Sequence, residues 1–346
     1  MTAPQDWPIE DLESVHACPV CGHALRTLLH GGLIDRVFGV APGKWDMYRC
    51  ADCGCGYLDP RPTPASIGRA YAGYYTHDAE DHPVVRRKGR LRSLLHDLIN
   101  GYQNARYGLH RAPALALGRW LLPLLPLLRA AADAECRHLP PLPSGGGRLL
   151  DLGCGNGGFL LLAKQAGWTV RGVDFDPEAV RIAQARGLDV RQGGIEVLAG
   201  ERASFDVVTI CHVIEHVHAP IAVFQGLHAL LKTGGMLWIE TPNLESLGAR
   251  RFAAHWRGLE IPRHLVLFNR HALHQSLQSA GFSQCAQRWR GMSVFNVFAE
   301  SEAIVRQKNT HQATSDGRPP LSDLLAELRE MLQPSQREFL TLIARK

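Results

Sequence analysis

The chain has 346 residues, is 45% hydrophobic and carries a net charge of +5. That length allows one large domain or a core with a smaller appendage, and the apolar content is ample for a packed interior. Residues 1–14 contain Asp6, Glu10, Asp11 and Glu13 instead of a basic-then-apolar signal segment, which argues against secretion and predicts a cytoplasmic protein. Nine cysteines in that compartment point to metal ligation and incidental core thiols rather than disulfides.

The charge is unevenly spread. Between Val84 and Ala130 nine Arg or Lys stand against Asp97 alone, a local +8 that leaves −3 for the rest of the chain. The basicity therefore belongs to one segment and suggests an anionic partner for it.

In chain order, the first feature is a pair of C-x2-C-G knuckles, Cys18-Pro19-Val20-Cys21-Gly22 and Cys50-Ala51-Asp52-Cys53-Gly54. Each puts two thiolates on a tight turn, and two such turns facing each other make a tetrahedral sulfur site suited to structural Zn2+. Cys18, Cys21, Cys50 and Cys53 are the expected ligands, with Cys55 as a less well spaced substitute for Cys53. Residues 15–58 thus read as a zinc-ribbon-like module. A proline-rich linker, Asp59-Pro60-Arg61-Pro62-Thr63-Pro64, leads into a helix predicted over 65–75, with Thr63 as cap and Pro64 at the first position.

Residues 59–147 otherwise read as a helical, basic and leucine-rich segment. Its apolar run between Arg119 and Arg129 is too short to span a bilayer and is broken by Pro123 and Pro126. Such helices either cover the core or form a dimer face, or they rest on a membrane or receive a lipid-linked or phosphorylated substrate. The Pro/Gly/Ser stretch over 140–147 marks a boundary.

From residue 148 strands alternate with helices, the pattern of a doubly wound α/β sheet. Leu149-Leu150-Asp151-Leu152-Gly153-Cys154-Gly155-Asn156-Gly157-Gly158-Phe159 is a buried strand running into a glycine loop and a helix, and its spacing also fits a dinucleotide fingerprint. A second strand ends in Asp174-Phe175-Asp176. Further on come Phe205 to Ile210 with Cys211-His212-Val213-Ile214-Glu215-His216-Val217, then Gly234-Gly235-Met236-Leu237-Trp238-Ile239-Glu240-Thr241-Pro242-Asn243.

This ordered set resembles the class I S-adenosylmethionine-dependent methyltransferases over residues 148–346. The resemblance implies a Rossmann-like seven-stranded sheet whose last strand is antiparallel and lies beside its predecessor. The two final strands are predicted at 282–289 and 337–344, with 293–336 as an insertion containing a helix near 321–332. It also implies S-adenosyl-L-methionine as cofactor. Gly153, Gly155 and Gly157 would let the backbone, including that of Cys154, approach the cofactor. Asp151 would help hold its methionine part, and Cys211 and His212 would line that end. The Asp174 carboxylate, at the end of its strand, can accept both ribose hydroxyls, a diol that NAD shares. Phe175 is placed to pack on adenine.

Methyl transfer to a hydroxyl or an acidic C–H needs a general base, a role suited to histidine. The segment His255 to Phe268 resembles one that overhangs the substrate pocket in relatives, which makes His264 the expected base and Arg263 a clamp for an anionic or carbonyl oxygen. Glu240 is expected to orient a base or bind substrate hydroxyls. Glu215-His216 reads first as the structure of a helix start, with His216 as the alternative base; some quinone-pathway O-methyltransferases of this fold hold a divalent cation here, but His212 replaces one of their acids.

The expected activity is methylation of a small molecule such as a sugar, a lipid-linked glycan or a secondary metabolite, with peripheral membrane contact through 84–130. Two alternatives stand beside it: an RNA methyltransferase with the ribbon as reader, and a non-catalytic cofactor-binding scaffold. Nucleic acid is disfavoured because the stretch from Cys18 to Cys53 is only +1 and the fourth strand is followed by Cys211-His212-Val213-Ile214, not by a base-flipping Asn/Asp-Pro-Pro-Tyr motif.

Overall fold

A computed structural model describes residues 6–71, 89–307 and 320–346. Short strands β1 (Leu12–Glu13), β2 (Arg26–Leu33), β3 (Trp45–Cys50), β4 (Gly56–Leu58) and β5 (Arg61–Pro62) form the amino-terminal module. Three helices follow, α1 (Arg90–Tyr107), α2 (Gly118–Leu121) and α3 (Pro126–Glu135). The predicted helix over 65–75 is corrected: a 3-10 turn spans Ile67–Tyr71, begun by Ser66 and Ile67 amides donating to the Thr63 carbonyl, and 72–75 lie outside the described residues. Arg86, Arg87 and Lys88 of the basic segment lie outside them too.

Strands and helices then alternate: β6 (Arg148–Leu152), α4 (Gly158–Gln165), β7 (Thr169–Asp174), α5 (Pro177–Ala185), β8 (Val190–Gln192), β9 (Phe205–Cys211), α6 (Pro220–Leu230), β10 (Leu231–Pro242), α7 (Leu247–Phe252), β11 (Val266–Leu267), α8 (Arg270–Ser279) and β12 (Ser283–Arg288). The insertion supplies α9 (Ser293–Val305) and α10 (Leu321–Leu332) before β13 (Phe339–Arg345). The large sheet has the order β12-β13-β10-β9-β6-β7-β8, with β13 antiparallel to both of its neighbours. This is the Rossmann-like seven-stranded arrangement expected from the motifs.

Period-two alternation explains how the sheet is covered on both faces. Leu150, Val208 and Leu237 point into a core shared with α6 and α8, whereas the adjacent Leu149, Val207 and Trp238 point into one shared with α4 and with Tyr102 and Ala132 of the preceding helices. The first core also contains Trp45, Met47, Tyr57 and Leu58 from the amino-terminal module.

That module is built into the domain. The four-stranded sheet β11-β4-β3-β2 takes its edge strand from the far side of the chain, with Val266 opposite Tyr57 and Leu267 opposite Gly56. The completely buried Arg263 guanidinium donates to both Asp35 carboxylate oxygens, at 2.6 and 3.1 Å, and to the Ala70 carbonyl at 2.7 Å. The Asn269 amide donates to the Cys53 carbonyl at 2.9 Å.

Candidate active site

The loop after β6 owes its shape to glycine. Gly153, Gly155 and Gly157 have φ values of +73°, +53° and +84°, and a Cβ on Gly153 would lie 2.1 Å from a Val213 methyl. The Gly155 amide donates to Asp174 Oδ2 at 2.7 Å, tying the loop to the end of β7, while Asp174 Oδ1 accepts from the Asp176 amide. Burial raises the Asp174 pKa, a cost that the backbone donors offset in part. Nothing approaches a Cβ built on Gly155 within 4 Å, so the loop is open at its apex. Phe175, beside it, is exposed and meets the Tyr71 ring edge-to-face at 5.1 Å.

Asp151 is completely buried at the end of β6. Its Oδ1 accepts from Thr209 Oγ1 at 2.8 Å and pairs with Arg137, and burial still raises its pKa despite that guanidinium. Its Oδ2 has no partner. A buried acceptor without a donor is costly, so this atom fits a ligand ammonium. The Cys154 sulfur packs under Gly172 in the core, leaving its backbone on the loop.

Beyond β9 and β10 lies a cavity of about 710 Å³, walled by His212, His216, Trp256, His264, Arg290 and Phe339 among others. Two histidines set its chemistry. His264 is only 4% exposed, and its Nδ1 lies 2.7 Å from the Gly258 carbonyl. His216 Nδ1 lies 3.1 Å from the Arg263 carbonyl and 2.9 Å from the Tyr71 hydroxyl. A carbonyl can only accept, so both Nδ1 atoms carry hydrogen and both Nε2 atoms present lone pairs. The rings meet edge-to-face at 4.6 Å. Burial pushes His264 down to about 4, against the pull of Glu260, and lowers His216 as well.

Glu215 lies beneath them. Burial opposes its charge, but a hydrogen bond with His212 and the surrounding histidines hold it down at about 2. Its oxygens meet His212 Nδ1 at 3.3 Å and Thr241 Oγ1 at 2.9 Å, so it acts as a brace. Ligand atoms of Glu215, His216 and His264 lie within 4.8 Å of one another, as do those of Cys211, His212 and Glu240, and either group could hold a cation. Glu240 is also buried. It accepts from Thr341 Oγ1 at 2.6 Å, pairs with Arg290 and stands 3.5 Å from His212 Nε2. Its carboxylate is thus directed at Thr341, His212 and Arg290 and is not part of the cavity wall.

The expected Arg263 clamp is a correction. The guanidinium bonds to Asp35, Ala70 and, at 3.2 Å, Glu260, so it fixes the loop from behind and leaves the backbone carbonyl as its contribution to His216. The arginines on the cavity wall are instead Arg257 and Arg290, and no sequence pattern singled out Arg290, because it follows β12 and reaches the site only through the fold. Tyr71 was missed for the same reason: it arrives from the linker to bridge Phe175 and His216.

The four cysteines of the two knuckles also converge. Cys18 and Cys53 sulfurs are 3.6 Å apart, those of Cys21 and Cys50 3.5 Å, and all four lie within 4.8 Å; Cys55 stands outside the group. A tetrahedral zinc with Zn–S bonds of about 2.3 Å requires sulfur separations of roughly 3.8 Å, whereas a disulfide requires about 2.05 Å. The donor set therefore fits zinc.

Residues 123–287 match a family model described as a methyltransferase domain. Over 109 residues the chain is 38% identical to a ubiquinone biosynthesis O-methyltransferase of Xanthomonas axonopodis pv. citri, covering 30% of this chain and 46% of that protein. Its counterpart in Xanthomonas oryzae pv. oryzae is 39% identical over 105 residues, 28% of this chain and 44% of that one. The match thus spans less than half the length of either relative. Among solved structures, a SAM-dependent methyltransferase from Archaeoglobus fulgidus aligns with a TM-score of 0.44 at 22% identity, over 63% of this chain and 94% of that one.

Proposed function

We propose that the chain is a class I S-adenosylmethionine-dependent methyltransferase and that it methylates an oxygen of a small, polar molecule held in the cavity beside His264. The observation that carries this reading is the pair of Nε2 lone pairs, on His216 and His264, whose tautomers are set by backbone carbonyls. The relatives' printed names, which specify O-methylation, support oxygen as acceptor. Arg290 and Arg257 on the wall are paired with Glu240 and with Glu260 and Glu300, and Glu135 and Glu338 line the cavity as well, so the wall favours a neutral polar substrate, such as a sugar, over an anionic one.

Bound S-adenosylmethionine would supply the electrophilic methyl group, with the Asp174 carboxylate, the Asp151 Oδ2 atom and the glycine loop as its holders. The chain's own work is orientation and proton removal. His264 Nε2 takes the hydroxyl proton as the oxygen becomes a nucleophile, and Trp256 and Phe339 limit the access of water. His216, held by Tyr71, stands against the His264 ring and keeps it in place.

Two outcomes test the reading. Asp174→Ala is expected to weaken S-adenosylhomocysteine binding by at least about tenfold in calorimetry, given roughly 1.5 to 3 kcal/mol per charge-assisted hydrogen bond. Unchanged affinity would remove Asp174 from the ribose. In a pH profile, kcat/KM is expected to hold level down to about pH 5 and fall only as pH approaches about 4, where His264 takes up a proton. An acid limb near 6.5 would place the essential base in solvent. The same depressed value makes the unfolded chain bind this proton first, so the contribution of His264 to stability is complete above about pH 6.5 and is lost as pH falls toward 4.

A second reading rests on the convergence of Glu215, His216 and His264: the histidines would hold a divalent cation that activates the acceptor oxygen. Turnover that disappears on dialysis against a chelator and returns with Mg2+, while zinc content stays constant, would favour it over direct proton removal.

A further inference from the structure

We propose that the surface formed by α2, the 3-10 turn Leu122–Leu124 and the cleft beside them docks on an anionic lipid bilayer. Gly101 and Gly118 fix which face is presented. A Cβ on Gly101 would lie 1.8 Å from the Leu115 carbonyl oxygen, and one on Gly118 1.8 Å from that of Leu98, so the short helix lies backbone-to-backbone against α1. With Gly118 and Leu122 turned inward, the residues at helical spacing on the other side, Leu117, Trp120, Leu121, Leu124 and Leu125, are left in solvent. Trp120 is 64% exposed and Leu124 75%. An apolar stripe with i, i+3, i+4, i+7, i+8 spacing normally faces a core; here it faces out.

The charge beside the stripe identifies the partner. A cleft of about 1070 Å³ is lined by Arg106, Arg119, Arg129, Arg288 and Arg345, with Asp133 as the one carboxylate. Asp133 is already engaged by the Tyr102 and Tyr107 hydroxyls, at 2.8 and 2.7 Å, and by Arg106 at 3.4 Å. Arg119 has no carboxylate partner among the described residues and lies over the Trp120 ring at 4.4 Å, so charge and apolar surface project together. Five guanidinium groups against one carboxylate leave the cleft at +4, and leucine with tryptophan at the rim is the composition of an element that enters the headgroup layer while arginines meet lipid phosphates. A second copy of this chain would bring the same positive cleft with it, which disfavours self-association. No described helix is long and apolar enough to cross a membrane, so contact is with one surface.

The arrangement also relates the two cavities. Arg129 and Asp133 of α3 line the basic cleft, whereas Ala131, Ala134 and Glu135 of the same helix line the histidine cavity. One helix is the wall between the lipid-facing surface and the pocket.

The test is flotation of the full chain with phosphatidylcholine vesicles, with and without about 30% phosphatidylglycerol. Binding is expected only to the anionic vesicles and should be reversed by 0.5 M salt, a screening length of roughly 4 Å. Trp120→Ser/Leu124→Ser is expected to lower partitioning at least about tenfold, and Arg119→Glu by a similar factor, at roughly fivefold per charge. Both variants should keep the wild-type affinity for S-adenosylhomocysteine, which shows that they are folded. Equal partitioning onto neutral and anionic vesicles, or wild-type binding by both variants, would overturn the proposal. So would competition by soluble glycerophosphoglycerol, which would make the cleft a site for a free phosphate, or a dimer in light scattering that Trp120→Ser/Leu124→Ser splits.

Discussion

His264→Ala is expected to lower kcat by at least about a hundredfold while leaving cofactor affinity within a factor of about two, because general bases typically contribute between about a hundredfold and ten-thousandfold. The alanine variant alone does not separate chemistry from architecture, since His264 Nδ1 also holds the Gly258 carbonyl at 2.7 Å. His264→Asn does. Its side-chain amide can still donate to that carbonyl, but it has no basic nitrogen at the Nε2 position. The asparagine variant is expected to match the wild type in melting temperature and the alanine variant in rate. Asparagine restoring turnover would reduce His264 to a loop anchor and return the proton to His216 or to a bound cation.

The second large effect concerns a site outside the cavity. The wild-type chain is expected to hold one zinc, measured as metal per chain, and Cys18→Ser/Cys53→Ser to abolish that binding and to lower the melting temperature by about 10 °C or more. Metal binding of this kind is worth about 10 to 16 kcal/mol in small modules, and only part of that is needed to explain such a shift in a chain of this size. The loss should also reach the active site. Cys53 is tied through its carbonyl to Asn269, β4 carries β11 as its neighbour, and Asp35 of the same module receives the Arg263 guanidinium. The loop that bears His264 is thus braced by the ribbon, and turnover should fall with the metal. A variant that loses metal and keeps both melting temperature and turnover would show the ribbon to be an appendage.

The sheet was legible because its signals are local. Glycine after a buried strand, an acid at the next strand end and alternating apolar runs are each contained within a few residues, and α10 fell at 321–332 as its pattern indicated. The knuckle cysteines were legible for the same reason: two pairs at C-x2-C spacing need only face each other. The 3-10 turn at Ile67–Tyr71 was not, since a cap and a proline can start either kind of helix and the packing of Tyr71 against His216 decides the rest. Arg263 misled because an arginine next to a histidine in a pocket loop reads as a binding group, whereas its partner Asp35 is 228 positions away in the sequence. Arg290 is the reverse case: unremarkable in sequence, it reaches the cavity only once β12 is laid at the edge of the sheet. Side chains whose role depends on a distant partner are the ones that pattern reading could not assign.

The most direct measurement is a calorimetric titration of the purified wild-type chain with S-adenosylhomocysteine and, separately, with NAD. One molecule of the first is expected to bind per chain with micromolar or better affinity, with no heat from the second. Saturable binding of NAD with none of S-adenosylhomocysteine would contradict the cofactor assignment.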